Sequence, residues 1–114
     1  MRARKALVSL LGDGERNPLL RAEAAQTLGA LCAKEAVDAL DDAARRGASP
    51  VSSPEEVTLA VSALGALAAI HPPDLTKRIE ALQRGDAGPA FRASAARALA
   101  TSPPRCHIRP PASR

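Results

Sequence analysis

Aromatic residues are almost absent from this 114-residue chain: Phe91 is the only one, and neither tryptophan nor tyrosine occurs. A hydrophobic core without large rings has to be built from leucine, valine, isoleucine and alanine. Alanine has the highest helix propensity, and its small side chain lets helix axes approach closely. The composition therefore predicts an all-α fold. It also removes the aromatic stacking platforms on which single-stranded nucleic acids are usually held.

Cysteine and histidine are also scarce, with two of each. Cys32 and Cys106 have no CxxC spacing. Neither His71 nor His107 has a second metal-ligand candidate nearby in sequence, except for Cys106 beside His107. We therefore expect no disulfide framework, no metal and no cofactor. Cys32 is expected to be a small buried thiol in a reducing compartment, with the cytoplasm as the default location. The apolar run 6–11 is too short for a signal peptide, and no segment approaches the length of a membrane span.

The net charge of +4 comes from the two ends of the chain. Six of the sixteen lysines and arginines, and no acid, lie in segments 1–11 and 102–114. Segment 12–101 contains the other ten lysines and arginines and all twelve Asp and Glu residues, so its net charge is −2. The sequence shows no basic stripe on this central part, which argues against a nucleic-acid-binding groove.

Apolar spacing and helix start and stop signals predict six helices, at about 2–11, 18–31, 33–46, 54–70, 74–84 and 89–101. Asn17 and Ser53 are suitable N-caps, each followed by a proline at the first helical position. Gly47 is a helix stop. In the second helix the predicted apolar stripe consists of Leu20, Ala24, Leu28 and Leu31. Residues 102–114 form a proline-rich tail that we expect to be extended or disordered.

A repeat runs through the chain. The tetrapeptide LGAL occurs at 28–31 and again at 64–67, and Arg21, Ala24 and Leu28 correspond to Arg92, Ala95 and Leu99. Leu28 corresponds to Leu64 and then to Leu99, so the successive offsets are about 36 and about 35 residues. A fixed period of this length is typical of helical repeat proteins.

The repeated residues resemble the first helix of HEAT repeats, particularly the short, alanine-rich kind called phycobilisome-lyase HEAT-like. The resemblance covers roughly 5–101. The middle copy is the weakest match, because Val57 stands where the family has arginine. The matching residues are Leu20, Arg21, Ala24, Ala25, Leu28 and Gly29, then Ala60, Leu64 and Gly65, then Phe91, Arg92, Ala95, Ala96 and Leu99.

The resemblance implies an α-α superhelix, a short HEAT-like solenoid. Helices two and three, and helices four and five, would form antiparallel pairs, leaving helices one and six as halves of further pairs. Ala24, Ala25 and Gly29 would be small because a neighbouring helix crosses there. Arg21 and Arg92 would lie between repeats and bind an acid or the carbonyls of a helix end; the alternative role for these arginines is anion binding.

We therefore expect a non-catalytic protein–protein interaction or scaffold module. In HEAT proteins the second helices line the concave side, which here would expose Asp38, Asp41, Arg45, Glu80 and Arg84, either as a partner-binding face or as an ordinary solvated surface. A solenoid of this kind would leave apolar helix faces exposed at both ends. We therefore expect either that the chain self-associates through an end face or that it is a fragment of a longer repeat array.

Two other functions remain open. The basic termini could bind nucleic acid, as in HEAT-like DNA glycosylases. The chain could also be an accessory subunit or fragment of a HEAT-like lyase. The di-iron hydroxylases of this fold use repeated His-Glu pairs, which this sequence lacks, so we expect no enzymatic activity.

Overall fold

The computed structural model describes residues 2–49, 51–84 and 87–100, with side chains from residue 4 onward. In these segments the secondary structure is entirely helical, which confirms the all-α prediction. The predicted tail at 102–114 lies outside the described residues. The elements are α1 (Arg2–Gly12), α2 (Pro18–Ala30), a 3-10 turn (Lys34–Ala36), α3 (Val37–Arg46), α4 (Pro54–Ile70), α5 (Leu75–Gln83) and α6 (Pro89–Ala100).

The predicted helix starts at Asn17 and Ser53 are confirmed. The Asn17 side chain accepts a hydrogen bond from the backbone N–H of Leu19 at 2.7 Å. Ser53 and Glu56 form a reciprocal capping box, in which each side chain accepts a hydrogen bond from the other residue's backbone N–H at 3.1 Å. The third helix differs from its predicted start at 33, because residues 34–36 form a 3-10 turn before α3 begins at Val37.

The helices lie in two rows. In the first row α2 packs on α4, and α4 packs on α6; in the second, α3 lies between α1 and α5. Between the rows α1 packs on α2 and α3 packs on α4, and α5 makes a smaller contact with α6. The expected pairing of helices two with three and four with five is therefore wrong. Each second-row helix packs mainly against the first-row helix that follows it, so the described helices form three pairs.

The core consists mainly of leucine and alanine, as the composition predicts. Fully buried leucines of α1, α2, α3 and α4 meet in one cluster with Ile70, Ile79 and Phe91. Three leucines of the predicted apolar stripe or of the repeat motif lie outside this cluster. Leu20 is 42% exposed, Leu31 is 45% exposed and Leu99 is 42% exposed. The prediction that they lie on buried faces is wrong because α2 and α6 are at the two ends of their row, where one side of each helix meets solvent.

A close helix crossing lies where the first LGAL copy meets α4. A Cβ atom built on Gly29 would lie 2.8 Å from the Cα of Ala66 and 2.9 Å from its Cβ. One turn earlier, the Gln26 amide donates to the Ser62 hydroxyl at 3.1 Å. The prediction that Gly29 is small because a helix crosses there is confirmed.

Candidate interaction surface

The strongest group of charges lies where α3 and α5 run side by side. Asp38, Asp41 and Arg45 come from α3, Arg78 comes from α5, and Asp74 precedes α5. Helical spacing places Asp41 beside Arg45 and Asp74 beside Arg78, since residues four apart share one face of a helix. The packing of α3 beside α5 brings these two pairs together. We call these five residues the Arg78 cluster.

Arg78 is the centre of the cluster. Its Nε donates to Asp74 at 2.9 Å, its Nη1 to Asp41 at 2.9 Å and its Nη2 to Asp38 at 3.2 Å. The hydrogen bond to Asp74, followed by those to Asp41 and Asp38, holds the pKa of Arg78 above its ordinary value, although burial acts in the opposite direction. One guanidinium thereby joins two helices and the turn before α5.

The prediction that Asp41 is an exposed partner-binding charge is wrong. Asp41 is buried, with 7% of its surface accessible. Its two carboxylate oxygens accept from two different arginines, Arg45 at 2.6 Å and Arg78 at 2.9 Å. A buried carboxylate needs such partners to offset its lost hydration. Asp41 is therefore part of the structural connection between α3 and α5.

The other four residues of the predicted face are accessible. The Asp38 side chain is 92% exposed and that of Arg45 is 62% exposed, so each presents charge to solvent while it contacts the cluster. Glu80 is exposed on α5, and Arg84 is exposed just after the end of this helix. We call Asp38, Arg45, Glu80 and Arg84 the α3–α5 face.

Sequence reasoning missed Asp74 and Arg78, the residues that organise this surface. A signal was present, because Asp74 and Arg78 are four residues apart at the start of a helix, a spacing typical of an ion pair within one helix. The contact from Arg78 to Asp41 spans 37 residues. No local pattern marks it.

The two repeat arginines have different environments. Arg21 is buried, and its Nε donates to the carbonyl of Leu11 near the end of α1 at 2.8 Å, which confirms the predicted contact with a helix end. Burial, followed by the nearby Arg46, lowers the pKa of Arg21. Arg92 is exposed, and its Nε donates to the carbonyl of Ala87 in the loop before its own helix at 3.0 Å.

A second ion pair connects α1 to the turn before α3. Arg4 Nη2 donates to Glu35 Oε1 at 2.8 Å, and Arg4 Nε lies 2.7 Å from the other carboxylate oxygen. A hydrogen bond from its own backbone, followed by the bond from Arg4, lowers the pKa of Glu35. Neighbouring helices of the second row are thus joined by charge at two places.

Cys32 is not the buried thiol that the sequence predicts. It is partly exposed just after the end of α2, has a left-handed backbone with φ of 55°, and is disulfide-bonded. The other cysteine of the sequence, Cys106, lies outside the described residues.

A cavity of about 430 Å³ lies beside the Arg78 cluster. Val37, Ile70 and Pro72 are among the apolar residues that line it. The charged residues of its lining are Lys34, Glu35, Asp38, Asp74 and Arg78. The cavity is large enough to admit a side chain of a partner molecule.

Within the described ranges, no three histidine, cysteine, aspartate or glutamate side chains come together as candidate ligands of a metal ion. None of the described helices has both the length and the apolar character needed to cross a membrane. Comparison with protein-family models, curated proteins and solved structures finds no match for this chain.

Proposed function

We propose that this chain is a non-catalytic protein–protein interaction module of the HEAT-repeat type, built from short alanine-rich repeats. The observation that carries the proposal is the Arg78 cluster, which connects α3 to α5 and leaves the charges of the α3–α5 face in solvent. A surface that is ordered before binding loses less conformational entropy when a partner docks.

The charges of the cluster favour a protein partner. Three carboxylates, those of Asp38, Asp41 and Asp74, surround two guanidiniums, so the cluster is negative overall. A surface that binds nucleic acid needs an excess of positive charge to neutralise phosphates. Mixed charge beside a partly apolar cavity suits a protein surface that presents both signs.

The test compares two double variants that leave the net charge unchanged. Asp38→Ala with Arg45→Ala removes two exposed charges of the α3–α5 face and leaves the Asp41–Arg78 contact in place. Glu15→Ala with Arg16→Ala removes two exposed charges in the α1–α2 loop and is the matched control. Proteins retained by the wild-type chain are identified, purified and titrated by calorimetry against all three forms.

The proposal predicts a purified partner that binds the wild type and the control alike and binds the face variant about tenfold more weakly or worse. A partner that binds all three forms equally would place the interaction elsewhere. Circular dichroism of each variant shows whether the helices are retained.

We also propose the cytoplasm as the location. Cysteine usage supports this location, because the sequence has two cysteines without the number or spacing of a disulfide framework. The disulfide bond of Cys32 argues for an oxidising compartment instead. Alkylation of thiols in cells before lysis, followed by mass spectrometry, decides between them: a labelled Cys32 supports the cytoplasm, and an unlabelled Cys32 contradicts it.

A further inference from the structure

The helices at the two ends of the first row, α2 and α6, carry equivalent repeat positions that differ in solvent exposure. In α2, Ala25 and Leu28 are completely buried, and Gly29 is buried where Ala66 of α4 crosses it. The residues at the same repeat positions in α6 are Ala96, Leu99 and Ala100, and all three are exposed. The surface that α4 covers on α2 therefore recurs uncovered on α6.

We propose that this surface of α6 binds α2 of a second copy of the chain, head to tail, so that the row of first helices continues from one molecule to the next. This proposal rests on the proposed function and names one partner and its contact surface. We call Ala93, Ala96, Arg97, Leu99 and Ala100 the α6 end face, and Leu20, Glu23, Thr27, Ala30 and Leu31 the α2 end face.

The contact between α2 and α4 shows what kind of helix covers such a surface. Ala66 of α4 meets Gly29, and Ser62 bonds to Gln26. The α2 residue at the repeat position of Ala66 is Ala30, which is exposed on the α2 end face. A second copy can therefore present a small residue to Ala100 of α6, as α4 does to Gly29. Leu31 and Leu99 would be covered in the same contact.

Charge favours the same arrangement. Every charge on α6 is positive, namely Arg92 and Arg97, whereas the exposed charge on α2 is Glu23. Arg97 occupies the repeat position of Gln26, the residue that reaches across to α4. Glu23 is one turn before Gln26 on α2, so a head-to-tail contact brings Glu23 of the second copy close to Arg97.

The second row adds an independent pair of charges. On α3, Asp41 is bound by Arg78 from the next helix of the row. Glu80 on α5 and Arg84 just after its end repeat the four-residue spacing of Asp41 and Arg45, and Glu80 is exposed. In a head-to-tail stack the next helix of this row is α1 of the second copy, whose exposed Lys5 can bind Glu80.

The other possible self-contacts bring like charges together. Two α6 end faces would oppose arginines, and two α2 end faces would oppose glutamates, and such juxtapositions are unfavourable. A head-to-tail contact uses two different surfaces, so it builds open chains or closed rings rather than a simple two-fold dimer.

The experiment is sedimentation velocity of the full chain across a wide concentration range. Glu23→Arg and Arg97→Glu each place like charges in the proposed contact, and the double variant restores an opposite pair with the signs exchanged. Asp42→Arg changes an exposed acid of α3 by the same two charge units and is the control. Circular dichroism confirms that each variant keeps its helices.

We expect the wild type and the Asp42→Arg control to form either open chains larger than dimers or closed rings. Each end-face variant should raise the dissociation constant about tenfold or more, and the double variant should recover most of the loss. A wild type that stays monomeric, a double variant as weak as the single variants, or an Arg97→Glu variant that associates more tightly would each overturn the proposal.

The result is separable from the test of the proposed function. The variant with Asp38→Ala and Arg45→Ala lies outside both end faces, so it should self-associate like the wild type. If the end-face variants lose self-association while the variant with Asp38→Ala and Arg45→Ala binds its partner as tightly as the wild type, only the α3–α5 face is wrong. If that variant loses partner binding while the end-face variants self-associate like the wild type, only the end-face contact is wrong.

Discussion

The two LGAL copies have the same four residues and different environments. In α2, Gly29 is buried against the backbone of Ala66, and a Cβ atom there would lie 2.8 Å from its Cα. In α4, Gly65 is exposed, and a Cβ atom would have no atom outside its own helix within 4 Å. The contact of α2 with α4 is also more extensive than that of α4 with α6. A repeated glycine thus marks a close crossing in one repeat only.

Alanine substitution at the two glycines should have opposite effects. Gly29→Ala forces α2 and α4 apart and should lower the free energy of unfolding by about 1–3 kcal/mol, the range for overpacking a core. Gly65→Ala adds a residue with a better helix propensity in open space and should raise that free energy by about 0.5–1 kcal/mol. Urea denaturation of both variants measures the difference. Similar effects at both sites would show that the two crossings are equivalent.

The two repeat arginines allow the next comparison. Arg21→Ala leaves the Leu11 carbonyl without its buried donor and should cost about 1–3 kcal/mol. Arg92→Ala removes an exposed side chain whose Nε donates to the Ala87 carbonyl, and it should cost less, about 0.5–1 kcal/mol. Thermal and urea unfolding of both variants test this order, and a larger loss at Arg92 would contradict it.

The Arg78 cluster contains a similar contrast between Asp41 and Asp38. Asp41→Ala removes a buried carboxylate from two arginines and should lower the free energy of unfolding by about 1–2 kcal/mol. Asp38→Ala removes an exposed partner of Arg78 and should cost about 0.5 kcal/mol or less. A double-mutant cycle of Asp41 with Arg78, read by urea denaturation, measures the coupling. No measurable coupling would show that the two helices are not joined by this contact.

Removal of the Arg4–Glu35 ion pair should have the smallest effect on the free energy of unfolding, and this effect should depend on pH. The pKa of Glu35 is lower in the folded chain than in the unfolded chain. As the pH falls, the unfolded state therefore becomes protonated at Glu35 before the folded state does. The stabilisation is therefore present above the unfolded pKa of about 4.5 and is lost as the pH falls through the folded value. Urea unfolding of the wild type and Glu35→Gln should differ near neutral pH and converge in acid. A difference independent of pH would contradict a charged pair.

Much of the secondary structure was predictable because its causes are local. The caps at Asn17 and Ser53 lie next to the prolines that begin α2 and α4, and the boundaries of α4 agree with its predicted range. The start of α3 was missed because the residues before Val37 form a 3-10 turn without a side-chain cap.

The pairing of the helices and the composition of the candidate surface were not predictable from the same signals. Apolar periodicity shows which face of a helix is buried but not which neighbour buries it, so the expected pairs were shifted by one helix. Asp41 looked exposed because aspartate usually is, and its partner Arg78 lies 37 residues away. Leu99 matched Leu28 in sequence, yet Leu28 is completely buried and Leu99 is 42% exposed, because α6 is at the end of the first row of described helices.

The sequence by itself determined that the described chain is helical, where most helices begin and end, and where small residues permit a close crossing. These properties follow from propensity, capping and spacing, which act over a few residues. The tertiary structure decided which glycine meets a backbone, which arginine binds a helix end, and which carboxylate is buried between α3 and α5. Those outcomes depend on the relative positions of helices distant in sequence, and the same repeat motif has different neighbours in the middle of a row and at its end.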